Sequence, residues 1–317
     1  MTDIKSAPGE PTAITPESVA AVAPAGSSLS AVAPRVGRRT EALYFAFRNP
    51  KVVGGVLVIL AFLVLGVVAP LFTDHGPREY VGPPGAEPSG DFWFGTTFFG
   101  QDVFIQFANG IRATFLVGVL AALIAAVIGM TIGFVAGYLG GVVDELLMIF
   151  TNVILVLPVF VVLIVLTAYI GINSYLSQAV VIGLFAWPWV ARAVRAQTFT
   201  LRNRDFVDLA RLTGRHPIKV IYSEIAPNML SYLLMTMILL FAGAILFAAS
   251  LDYLGLGPQG GVSLGLMLQQ ATAWNALHLG MWWWFVPPGA AITAIVGAAY
   301  VTNVGLDEVF NPKLREM

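Results

Sequence analysis

Six long apolar runs, separated by polar stretches of unequal length, organise this chain. They are Val52 to Leu71, Thr114 to Tyr138, Leu146 to Tyr169, Gln178 to Ala196, Leu230 to Leu254 and Phe285 to Val304. A helix rises about 1.5 Å per residue, so roughly 20 residues cross a hydrocarbon layer of about 30 Å. The pattern therefore predicts six transmembrane helices. Pro158 in the third run and Pro188 in the fourth predict bends there, because proline removes a donor and crowds the preceding turn.

One interruption differs from the rest. Asp205 to Asn228, DFVDLARLTGRHPIKVIYSEIAPN, is long, polar and charged. It reads as two short helices around a turn. Asp205 is placed to N-cap the first, with Asp208 as a weak capping-box partner. Gly214 falls where a helix ends in the left-handed conformation. Pro217 suits the first turn of the second helix, and Pro227 is expected just beyond its end. Ile218, Ile221, Tyr222 and Ile225 share one face by helical spacing. An amphipathic helix pair lying on a membrane surface has the same pattern.

Composition bounds the class. Of 317 residues, 57% are hydrophobic and 11% charged, and the mean hydropathy is +0.81. Soluble domains carry about 25% charged residues, so the chain is expected to be an integral membrane protein. A net charge of −1 points to no nucleic-acid role. No cysteine is present, which excludes disulfides, thiol catalysis and cysteine metal sites. His75, His216 and His278 are far apart in sequence and point to no metal site.

Charge also orders the ends. Residues 1 to 40 are rich in Ala, Pro, Ser and Thr and are expected to form a disordered tail, not a signal peptide. Arg35, Arg38, Arg39, Arg48 and Lys51 precede the first run, and a short interfacial helix is expected from Glu41 to Arg48. Of the 17 Lys and Arg, all but Arg78 and Arg112 fall on the side of the termini and the polar insert. The loop from Thr73 to Gly110 holds five acids and one base. Basic loops stay in the cytoplasm, so both termini and the insert are expected there. Phe92, Trp93, Phe94, Phe98 and Phe99, and Trp282, Trp283 and Trp284, read for the most part as interfacial anchors.

Candidate chemistry is sparse. Gly129, Gly133 and Gly137 recur every four residues in the second run, a pattern for close helix approach, including against a partner subunit. The runs hold almost no ionisable groups, which argues against a proton relay or ion-coupled carrier. Asp252 stands near the end of the fifth run. No G-x-x-x-x-G-K-[ST] phosphate cradle occurs, so any ATP must be bound by another subunit.

The insert resembles the EAA loop of ABC importer permeases through Asp208-Leu209-Ala210, Gly214 and Ile225-Ala226-Pro227-Asn228. From about Arg48 onward the chain is similar to the second permease subunit of dipeptide and oligopeptide importers. Phe47-Arg48-Asn49-Pro50, Phe94 to Phe104 (FGTTFFGQDVF), Gly137 to Asp144, Leu254-Gly255-Leu256-Gly257 and Asn311 to Arg315 carry the likeness in order. Thr97 and Gln101 stand where that family has Asp and Arg. Asp252-Tyr253 and Pro258 to Gly261 also depart from it. These leave peptide, oligosaccharide and nickel open as substrates.

The resemblance implies an all-α, six-span permease domain over residues 41–317, of the type I importer fold, with 205–228 as its ATPase-docking loop. It implies Asp205, Asp208, Ala210, Arg211, Gly214, Ile225 and Pro227 as coupling residues. It implies a second permease, ATP-binding subunits and an extracytoplasmic solute-binding protein as partners in a prokaryotic plasma membrane. No enzyme activity and no bound cofactor are expected of the chain itself, with ATP in the partner subunit. An ion-coupled carrier or channel acting alone, and a passive membrane anchor, are the competing classes.

Overall fold

A computed structural model describes residues 45–310. The predicted tail, residues 41–44 of the expected Glu41–Arg48 helix and the Asn311–Arg315 signature lie outside the described residues, while residues 45–48 are helical. Among the described residues the chain is helical, with two isolated β-bridges, Tyr80 to Gln101 and Thr96 to Asp102, and no strands.

The first span is α1, Pro50–Val68, extended by a 3-10 turn at Ala69–Phe72. Asn49 caps it: Oδ1 accepts from the Lys51 amide at 2.9 Å. The second is α2, Val103–Leu139, with 37 residues. It starts well before the expected Thr114. Asp102 supplies the cap, accepting from the Phe104 amide at 2.7 Å. The early turns carry Gln106 and Asn109, whose side-chain amides both donate locally, while buried Gln106 Oε1 has no partner among the described residues. Gln106 Nε2 donates to Gln101 Oε1 at 2.7 Å, and Asn109 Nδ2 to the Ile105 carbonyl at 2.9 Å.

The third and fourth apolar runs each form two helices that meet at a bend. α3, Gly141–Val156, meets α4, Val159–Ile170, at 79°. α5, Tyr175–Ala186, meets α6, Pro188–Leu201, at 47°. After the insert, α10 spans Leu230–Tyr253, close to expectation. Then comes an element the hydropathy pattern did not predict: α11, Leu264–Ala273, capped by Ser263, whose Oγ accepts from the Leu266 amide at 3.1 Å. The last is α12, Trp282–Phe310. Four of these helices are long and apolar enough to cross a membrane, or six if each bent pair counts as one span.

α2 is the hub. It packs against α1, α3, α5, α6, α10, α11 and α12. Small residues make this possible. A Cβ on Gly129 would lie 2.8 Å from the Trp187 carbonyl, on Gly133 2.7 Å from the Ala191 carbonyl, and on Gly137 2.7 Å from Thr198 Cβ. The glycine ladder is thus spent inside the chain, against α6, and not on a partner. Where apolar burial against lipid gains little, such close backbone contact is what holds helices together.

Two further expectations change. Trp283 and Trp284 are core residues, not interfacial anchors, and only Trp282 is exposed. Trp283 Nε1 donates to the Thr96 carbonyl at 3.1 Å and so pins the 73–102 loop to α12. In that loop the two departures from the family motif have structural partners. Buried Thr97 Oγ1 accepts from the Phe99 and Gln101 amides at 3.2 Å, and Gln101 Nε2 donates to the Arg78 carbonyl at 3.0 Å.

Candidate functional site

The insert begins with α7, Asp205–Leu212. Asp205 is not its N-cap. Arg204 holds that place in extended conformation (φ −93°, ψ 145°) and makes no side-chain cap bond. Asp205 is the first helical residue, and Asp208 also lies in the first turn. Both carboxylates still oppose the positive end of the helix dipole. Asp208 Oδ1 pairs with Arg211 Nη1 at 3.1 Å instead of closing a capping box.

Past Leu212 the helix ends as the sequence indicated. Gly214 has φ +70°, and its amide donates to the Arg211 carbonyl at 2.9 Å. Nothing lies within 4 Å of the place a Cβ would occupy. Substitution there therefore costs backbone strain of about 1 kcal/mol rather than a clash.

The second half departs from the expected single helix. α8, Pro217–Val220, starts with proline in its first turn and His216 as N-cap. It runs into a π-helical turn, Ile221–Ile225, and then α9, Ala226–Asn228. Pro227 lies within this run, not past its end. Proline has no amide to give the preceding turn and needs room for its ring. The turn before it is widened, with the Ala226 amide bonding the Ile221 carbonyl, and Asn228 Nδ2 donates to the Glu224 carbonyl at 2.5 Å.

That widening splits the predicted apolar stripe. Val220, Ile221 and Ile225 are buried, while Ile218 is 58% and Tyr222 62% exposed. α7 divides in the same way: Val207 and Ala210 are buried, Leu209 is 65% and Leu212 85% exposed. The underside residues join Phe134, Tyr138, Val190, Val194 and Met229 in one core cluster. Burying an Ile or Val side chain contributes about 1.5–3 kcal/mol. The insert is thus anchored to the bundle below. Above, it presents four large apolar side chains among Asp205, Asp208, Arg211, Arg215 and Lys219, all exposed.

Of the sequence-predicted residues, Asp205, Asp208, Arg211 and Gly214 lie on the open side. Ala210 and Ile225 are underside anchors, and half-buried Pro227 shapes the widened turn. Arg215 Nη1 pairs with Glu224 Oε1 at 2.8 Å and ties the turn to the π segment. Leu209 and Leu212 were missed as surface residues. The available signal was two leucines on a helix otherwise rich in charge.

One ion pair below the insert was also missed. Arg195 forms a two-pronged pair with Asp144, Nε to Oδ1 at 2.6 Å and Nη2 to Oδ2 at 2.5 Å, which joins α6 to α3. At the opposite end of the bundle, Asp252 is buried at the end of α10. Its oxygens accept from Gln178 Nε2 at 2.6 Å and from Ser263 Oγ. Gly257 packs on this carboxylate so closely that a Cβ would sit 2.0 Å from Oδ1. Asp252 therefore joins α10, α5 and the cap of α11.

Comparison with known proteins adds the wider context. The family described as "binding-protein-dependent transport system inner membrane component" matches residues 129–316. A putative peptide permease protein of Brucella suis biovar 1 is 31% identical over 268 residues, covering 84% of this chain and 88% of the relative. The dipeptide transport system permease protein DppC of Bacillus subtilis is 32% identical over 272 residues, covering 84% and 83%. A putative peptide transport system permease protein of Brucella suis biovar 1 is 32% identical over 268 residues, covering 82% and 87%.

Proposed function

The chain belongs to the family of binding-protein-dependent transport system inner membrane components, and from that premise we propose that it forms half of the pathway of an ATP-driven peptide importer. The other half is a second permease. ATP-binding subunits dock on the 205–228 insert, and a solute-binding protein delivers substrate on the opposite side. Peptide is the substrate class that the relatives' names support. The chain performs no covalent chemistry and binds no ATP. It converts closure of the ATPase into movement of its spans.

One observation carries the docking reading: the two-sided insert. A loop that merely linked two spans would have no reason to expose Leu209, Leu212, Ile218 and Tyr222 beside a ring of charges. An apolar patch with a polar rim is the make-up of a protein interface. Gly214 sets the angle between the two halves of the patch. The basic residues around the insert, against the acidic 73–102 loop, support a cytoplasmic insert.

The test is uptake of a labelled dipeptide by vesicles holding the chain with its second permease, ATPase and binding protein. Uptake must require ATP and survive collapse of ion gradients. In vesicles stripped of the ATPase, a thiol reagent on the ATP side must label Leu212→Cys and spare Gly90→Cys, with the chain itself free of other cysteines. Gly214→Val must lose uptake at normal membrane abundance. Uptake driven by an ion gradient without ATP would favour a carrier instead.

A further inference from the structure

The insert touches the hub helix through a group that the docking reading does not use. α2 ends at Leu139, next to the insert. The last carbonyls of a helix have no partner within it. Here Arg202, at the end of α6, supplies one: Nη1 donates to the Gly137 carbonyl at 3.2 Å and the Tyr138 carbonyl at 3.4 Å. Tyr138 itself is buried, and the Arg211 guanidinium of α7 lies over its ring at 5.1 Å from the centroid. Arg211 Nε also donates to Tyr138 Oη at 3.4 Å. Among the described residues this is the one polar contact from α7 to α2. Arg211 is held in place from the other side by Asp208.

We propose that Tyr138, clasped between Arg211 and Arg202, is the joint that passes movement of the insert to α2. It is a positioning residue for transport, and the inference rests on the docking reading above. The geometry supports it in three ways. The ring is buried, so it cannot swing away from the guanidinium without opening the core. The guanidinium–ring contact tolerates sliding and tilting, because the attraction falls on a face rather than on a single atom. And α2 packs against every other spanning element except α4, so a shift at its end is felt through most of the bundle.

The test uses the full reconstituted complex, with the ratio of peptide taken up to ATP hydrolysed as the readout. Tyr138→Leu should lower that ratio by roughly 2- to 30-fold, the range for residues that carry coupling between sites. ATPase co-purification and hydrolysis should stay at the parent level. Tyr138→Phe, which keeps the ring, should keep the ratio. Arg211→Gln, at an exposed position, removes the other half of the contact without touching the core and should lower the ratio too. The double variant should be no worse than the worse single one, as for two halves of one interaction. An unchanged ratio in Tyr138→Leu or Arg211→Gln would overturn the joint. So would equal loss in Tyr138→Phe and Tyr138→Leu, or additive losses in the double variant. If the parent chain failed to hold the ATPase at all, the docking reading itself would fall, and that result is visible before any variant is made.

Discussion

The two proline-broken spans start from the same local chemistry and end in different geometry. In the α3–α4 pair, Leu157 precedes Pro158 and is extended (φ −69°, ψ 132°), and the helices bend by 79°. In the α5–α6 pair, Trp187 precedes Pro188 and stays helical (φ −76°, ψ −25°), and the bend is 47°. Proline disfavours the helical conformation in the residue before it, and Leu157 obeys. Trp187 does not, because its surroundings hold it. It is buried, its carbonyl faces Gly129, and its ring stacks on Phe150 at 5.9 Å. The burial patterns follow. α5 and α6 bury Ala179, Ile182, Val190, Ala191 and Val194, whereas α3 buries Thr151 alone and α4 Leu163 and Thr167. Proline sets where a span breaks, and the neighbours set by how much.

Breaking the α2–α6 seam should have the largest effect. Gly133→Leu places atoms where the Ala191 carbonyl already stands 2.7 Å from the Cβ position. Overpacking of this kind costs about 3 kcal/mol. Thermal unfolding in detergent should show a much lower midpoint or no folded chain. An unchanged midpoint would mean that the seam does not hold Trp187 in place.

The next effect concerns the clasp between the two pairs. Asp144→Asn removes the charge partner of Arg195, whose side chain is 36% exposed against 13% for Asp144. Allowing for that exposure, the loss should be about 1–2 kcal/mol. Arg195→Lys should not restore it, since lysine cannot make the two-pronged contact. Equal midpoints for the parent and Asp144→Asn would show that the clasp is idle.

The smallest energetic effect should be the most telling one. Pro158→Ala, at an exposed position, is expected to change stability by about 0.5 kcal/mol or less, and Pro188→Ala, at a buried one, by about 1 kcal/mol. The bends should respond differently. Spin labels at Val142 and Val165, both exposed, should move apart in Pro158→Ala as Leu157 becomes free to turn helical. The α5–α6 angle should persist in Pro188→Ala, because packing and not the proline maintains Trp187. Equal straightening of both pairs would remove the distinction drawn above.

Much of the fold was legible along the chain. α10 matched its predicted run almost residue for residue, since no proline and no polar stretch interrupts it. α2 was read short because Gln106 and Asn109 look like loop residues until their partners are known. α11 was missed because ten residues cannot span a bilayer and so leave no hydropathy signal. In the candidate site, Gly214 and Pro217 were readable from backbone preference alone. Asp205 was misread as a cap, and Pro227 as a terminator, because local rules admit more than one outcome at a helix end.

Sequence alone determined what solvent chemistry dictates: a membrane-spanning helical chain, the two prolines that break it, the single charged insert, and the motifs that carry the family. These follow from transfer free energy and backbone preference, which act residue by residue. The tertiary structure alone decided which helix the glycine ladder meets, which face of the insert stays open, and how far each proline bends its span. It also brought Tyr138 under Arg211. Each of these depends on residues distant in sequence competing for the same space, and no local pattern records who wins.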